Sequence, residues 1–282
     1  MKYQVIGTIS ALALATAATL ASTAAMAQDD SLERLKAAGQ VRVAVGSAPP
    51  LIGISPSGEP AGYAIEVMNA VLAGLELPKL TAIKADWSAM IPGMQANQYD
   101  FVAPGLTITE ERCDAIIFSG PVWSMQFGIF VPAGNPNGVT DVRSIGARPD
   151  GKLAVVTGSS QDFYAVEKGL ADAQLVRVTD VQAGVAAVRG GRAEAFLVGQ
   201  FSVHEPEEKG LTVVVESESP VFGYGVALRK EDVALRDAID LQLDKMRESG
   251  ELQELYSVKF GIPNWDEYIK KTRASDFYPN CT

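Results

Sequence analysis

Two stretches of the chain repeat one plan at a constant offset. "SAMIPGMQANQYDFVAPG", ending at Gly105, and "VQAGVAAVRGGRAEAFLVG", ending at Gly199, set Ile91 against Val185, Met94 against Val188 and Asn97 against Gly191. Asp100 and Glu194, and the two closing glycines, match likewise. Each stretch reads as a helix with one apolar face, a tight turn and a short apolar strand. Any α/β unit has this rhythm, so the plainer reading is two similar units and the sharper one is two similar lobes facing each other. Both readings require strands that alternate with helices, and such alternation implies an α/β fold with largely parallel sheets.

The rest of the chain fits that plan. "VRVAVG" from Val41 is a predicted buried strand, and "AIEVMNAVLAGL" places Ile65, Met68, Val71, Leu72 and Leu75 on one helix face. Met90, Ile91 and Met94 form the apolar face of the next helix. Toward the C-terminus Asp232 is a predicted N-cap, Leu235, Ile239 and Met246 point inward, and Gly250 stops the helix. The glycine-punctuated strands "FGIFVPAGNP" and "PVFGYGVAL" flank the second unit and read as two crossings of one hinge. The expected architecture is two lobes, each a mostly parallel sheet flanked by helices. Residues 28–125 and 222–282 form lobe 1, and residues 126–221 form lobe 2.

Residues 1–27 read as a secretory signal: Lys2, an uncharged Ala- and Leu-rich run, and the small-x-small site Ala25-Met26-Ala27, with cleavage before Gln28. The competing reading, a membrane anchor, is weakened by Thr8, Ser10, Thr16, Thr19, Ser22 and Thr23 within the run. No cysteine near the site offers a lipid attachment point, so the expected product is a free periplasmic protein. A formal charge of −10 makes nucleic acid a poor partner. The two cysteines, Cys113 and Cys281, permit one disulfide in an oxidising compartment, which would staple the C-terminal tail to the loop after Gly105; two free thiols are the alternative.

Ligands of open α/β sheets gather at the carboxyl ends of strands. There "PGLTITEERC" places Arg112, whose guanidinium could grip a carboxylate bidentately, with the Thr107 hydroxyl and the N–H groups around Gly105 as neutral donors. A surface arginine paired with Glu110 or Glu111 is the plain alternative. In the other unit, "AVVTGSSQ" ends a strand in a glycine turn, and Ser159 and Ser160 open a helix whose N-terminus favours anions; Ser159 as a simple N-cap explains the same residues. Trp87, in the polar loop "ADWSAM", is read as a ligand platform or as core. Trp123, Phe127, Phe222 and Tyr224 are read as hinge packing, and Trp265, Phe277 and Tyr278 as packing of the tail.

Catalytic and metal signals are thin. His204 is the single histidine, in a loop without metal-ligand spacing, and no nucleophile elbow, phosphate loop or His-Glu-x-x-His motif is present. No catalytic residue, metal ligand or cofactor is assigned.

Several blocks together resemble the family 3 periplasmic solute-binding proteins of amino-acid ABC importers: "SGEPAGYAIEV", "WSAMIPGMQANQYDFVAPGLTITEERCDAIIFSGP", "AVVTGSSQ" and "GYGVALRKEDVALRDAI". Ala64 replaces the usual acid of the first block. The resemblance implies a monomer that closes by hinge bending on a small zwitterionic or carboxylate solute and delivers it to an inner-membrane ABC permease. It makes Arg112 the carboxylate clamp, Thr107 and Gly105 its neighbours, Ser160 the second-lobe donor and Trp87 a wall. In amino-acid members a second-lobe aspartate holds the α-amino group, and here that place falls to Gly199. The "ITEERC" block and "AEAFLVGQFSV" look most like the ectoine and hydroxyectoine binders of this family, although Ala48, Leu51 and Thr107 stand where those carry a glutamate and further aromatics. A periplasmic enzyme on the same fold, such as a cyclic-carboxylate dehydratase, would need an acid or base in the cleft, for which Glu194, Gln200 and His204 are the weak candidates.

Overall fold

A computed structural model describes residues 30–281 apart from Pro56; the signal segment lies outside the described residues. In chain order, α1 (Ser31–Ala38) leads to β1 (Val41–Val45), the hairpin of β2 (Gly53–Ile54) and β3 (Pro60–Ala61), α2 (Tyr63–Gly74) and β4 (Leu80–Lys84). Then come α3 (Met90–Gln95), β5 (Phe101–Thr107), α4 (Glu110–Ala115) and β6 (Ile117–Met125). The middle of the chain supplies β7 (Phe127–Pro132), α5 (Val142–Gly146), β8 (Leu153–Val156), α6 (Ser160–Glu167), β9 (Leu175–Val178), α7 (Val181–Arg189), β10 (Ala195–Gly199) and β11 (Leu211–Val215). The chain then returns through β12 (Phe222–Leu228) and α8 (Val233–Ser249), and shorter helical turns complete it.

The strands form two five-stranded sheets, ordered β4-β1-β5-β12-β6 and β9-β8-β10-β7-β11. In each sheet four strands run one way and the fourth in order, β12 or β7, runs against them. β5 and β10, the strands of the repeated stretches, occupy the same central place. The fold is thus the two-lobed α/β arrangement that the alternation implied. The chain leaves the first sheet after Met125 and re-enters it at Phe222, which pairs with Met125, while Phe127 and Phe222 stack with ring centroids 4.5 Å apart.

Burial follows the apolar periods. Val41, Val43, Ala44 and Val45 of β1 are all buried, as in a parallel strand covered on both faces. Helix α2 buries Ile65, Met68, Val71 and Leu72, each contributing about 1.5–3 kcal/mol on full burial. Met90 and Met94 lie in the core, and Ile91 packs at its edge. Helix α8 turns Leu235, Ile239, Leu243 and Met246 inward and ends at Gly250 in the left-handed region, φ 81°. Asp232 precedes α8, but its side chain does not cap it. Its fully buried carboxylate is 2.8 Å from Arg229 and 3.0 Å from Arg34, and a buried carboxylate gains more from two guanidinium partners than from one N–H. Ser31 Oγ instead accepts from the Leu235 N–H at 3.2 Å.

Cys113 and Cys281 are disulfide-bonded, so the tail is tied to α4. Phe277 and Tyr278 pack against the same apolar cluster as Cys113, and Trp265 packs against Tyr256 and Tyr268. Among the described residues no helix is long and apolar enough to cross a membrane.

Candidate functional site

The carboxyl ends of β5 and β8 meet between the two sheets. Beyond β5, Thr109 is extended and its hydroxyl accepts from the Arg112 N–H, which starts the short helix α4. The Arg112 side chain folds back over the strand end, and Nη1 donates to the Thr107 carbonyl at 2.9 Å. That is a neutral acceptor. Neither Glu110 nor Glu111 forms an ion pair with the guanidinium, and Glu111 acts on it only through space. Burial therefore dominates and pulls the Arg112 pKa down to about 10.

On the opposite side, Ser159 is the N-cap of α6 and its hydroxyl accepts from the Asp162 N–H at 3.2 Å. The hydroxyl of Ser160 reaches across to Thr107, Oγ to Oγ1 2.7 Å. Two further contacts join the lobes. Gly158, at φ +71°, lies so close to Ser88 that a Cβ would sit 2.7 Å from the serine Cβ, and Ser47 Oγ is 3.4 Å from Gln182 Oε1. Only glycine meets both the φ and the spacing at 158.

Between these contacts lies a cavity of about 50 Å³. Arg112, Thr107, Gly105, Trp87, Ser159, Ser160 and Gly199 all line it. Trp87 lies across the backbone of Gly46 and Gly105, where added Cβ atoms would meet its ring at 2.4 and 3.0 Å. The ring's position thus depends on two missing side chains. Gly199 leaves room in the same way for Met125, whose Sδ would be 2.6 Å from a Cβ there.

Trp123 and Tyr224 correct one expectation. Both are buried, as hinge packing requires, but both also line the cavity, and their rings stack at 5.2 Å. Trp123 Nε1 and the Tyr224 hydroxyl have no hydrogen-bond partner among the described residues. Thr107, Gln161 and Arg112 lie close enough to moderate the rise of the Tyr224 pKa, which burial still carries to about 12. Gln161 and Ser202 also line the cavity and were not anticipated. Period-2 burial cannot distinguish a core aromatic from one whose polar edge opens on a cleft. A strand crossing between lobes was the signal available in the sequence.

The weak catalytic candidates lie elsewhere. Glu194 is engaged by Arg148 at 2.5 Å and Asn137 at 2.7 Å, His204 is exposed beside Glu205, and neither of these nor Gln200 lines the cavity. Among the described residues no cluster of His, Cys, Asp and Glu could hold a metal ion.

The profile of the bacterial extracellular solute-binding proteins, family 3, matches residues 41–262. A probable amino-acid ABC transporter periplasmic-binding protein of Sinorhizobium fredii is 27% identical over 253 residues, covering 86% of this chain and 84% of the relative. The lysine/arginine/ornithine-binding periplasmic protein of Escherichia coli is 27% identical, covering 68% and 76%. Among solved structures, EhuB in complex with hydroxyectoine superposes with a TM-score of 0.82 at 28% identity, covering 90% of this chain and 98% of that one. The ancestral amino acid-binding protein AncCDT-1, a precursor of cyclohexadienyl dehydratase, gives 0.73 at 26% identity, covering 81% and 99%.

Proposed function

We propose that this chain, which belongs to the bacterial extracellular solute-binding proteins of family 3, captures a small carboxylate-bearing solute in the periplasm and hands it to an inner-membrane ABC permease. One observation carries the ligand's chemistry: the half-buried Arg112 has only a carbonyl as hydrogen-bond partner for its guanidinium, and it lines the same cavity as Ser160, whose hydroxyl meets Thr107 across the cleft. A buried charge without a counter-charge is costly, and a carboxylate between Arg112, Thr107 and Ser160 supplies one in bidentate geometry. Signal cleavage before Gln28 delivers the chain to that compartment. Residues 28–125 with 222–282 and residues 126–221 act as the two lobes, and hinge bending encloses the solute.

The test is a thermal-shift screen of the mature protein against amino acids, ectoines, betaines and small organic acids, each paired with its carboxamide. A ligand that binds only the folded state raises the melting temperature. Shifts are expected from carboxylates and not from carboxamides, and they vanish in Arg112→Ala. Equal shifts from both, or an unaltered response in the variant, would sink the reading.

A second reading, an ectoine or hydroxyectoine binder, draws on the likeness to EhuB and on Trp87, Trp123 and Tyr224 around the cavity. The same screen separates it from capture of an ordinary amino acid. Catalysis is not assigned, because Glu194 and His204 stand away from the cavity. The assignment is overturned if a bound solute is converted to product.

A further inference from the structure

Arg112 is the one side chain with a full charge among the described residues that line the cavity. Four acids adjoin lining residues in sequence, and none of them lines the cavity. Asp162 accepts from the Gly158 N–H and from Arg177 Nε, both at 3.1 Å, and Asp180 accepts from the Ala183 N–H at 2.8 Å. Asp86 is exposed, and Glu111 lines a larger outer pocket that shares Arg112, Trp87 and Ser160 with the cavity but does not itself line the cavity. The polar groups without partners are of the donating kind. Trp123 Nε1 can only donate, and the Tyr224 hydroxyl, buried beside Arg112, has its proton to give.

The wall is thus built for acceptors: one cation, two unpartnered donors, hydroxyls, and an apolar remainder of Ile52, Val156, Val181 and Val198. A primary ammonium would bring three more donors and a second positive charge. Only hydroxyl, amide and carbonyl oxygens could receive it, a heavy desolvation cost without a counter-charge. We infer that the cleft selects carboxylates that carry no free ammonium group, with a hydroxyl or oxo group in its place. This rests on the carboxylate reading above and narrows it. The carboxylate takes Arg112, the second polar atom accepts from Trp123 or Tyr224, and the apolar part of the solute faces the valines.

Isothermal titration calorimetry of the mature, disulfide-bonded chain tests this with matched solutes: leucine against 2-hydroxy- and 2-oxo-4-methylpentanoate, and phenylalanine against 3-phenyllactate. The ammonium-free member of a pair is expected to bind about tenfold tighter or more, since an unmatched buried charge costs at least that factor. Ser202→Asp, which adds an acid to the wall, is expected to narrow the gap. Amino members binding as tightly as their partners, with that binding lost in Arg112→Ala, would overturn the inference and leave carboxylate capture standing. Binding by solutes that lack a carboxylate, with every pair silent, would overturn both.

Discussion

The two lobes present the same unit to the cleft and use it differently. At equivalent places in the repeat, Trp87 answers Val181 and Gly105 answers Gly199, and all four line the cavity. The first lobe adds the cation Arg112 and the polar aromatics Trp123 and Tyr224; the second adds the small neutral Ser159, Ser160, Gln161 and Ser202. Identical topology therefore fixes where a site is and says little about its charge. On the proposed reading the first lobe supplies strength and the second supplies enclosure, since a guanidinium–carboxylate pair is worth more than a hydroxyl contact.

That asymmetry can be broken by experiment, given a ligand from the screen. Arg112→Ala is expected to weaken binding by about 100- to 1,000-fold, on the order of 3–4 kcal/mol for losing one partner of a charge pair. Calorimetry on the folded variant measures it, and a loss below tenfold would erase the distinction between lobes. Replacing Cys113 and Cys281 together with serine is expected to remove about 2–5 kcal/mol of stability in a urea titration. Ligand affinity is expected to fall with it, because the bridge anchors the helix that carries Arg112; unchanged affinity would confine the bridge to stability. Trp87→Ala is expected to cost about tenfold or more in affinity and Val181→Ala clearly less, as a large aromatic contact exceeds a valine. Equal costs would make the two walls interchangeable. Ser160→Ala is expected to cost about 3- to 10-fold, a neutral hydrogen bond of about 1 kcal/mol. A loss matching that of Arg112→Ala would place equal strength in the second lobe.

Much of this was legible in the sequence because it is periodic. The faces of α2 and α8, the buried β1 and the repeated helix–turn–strand units follow from apolar spacing. The loops bearing Arg112 and Ser160 were found because strand ends in α/β sheets have few other uses for such residues. What escaped was tertiary. Asp232 stands at the N-cap position of α8, but its carboxylate goes to Arg229 and to Arg34, far away in sequence, and not to a helix N–H. Trp123 and Tyr224 looked like core because nothing local shows which way a buried indole N–H or phenol hydroxyl faces.

The disulfide also bears on how the protein is made. On the export route proposed above the chain emerges amino end first, so Cys113 stays without its partner while 168 positions of chain follow. With two cysteines in the whole sequence, no wrong pairing within one molecule exists during that wait. The hazard during that wait is pairing with another thiol, and the yield of oxidised protein should therefore depend on its concentration during secretion more than on any isomerase.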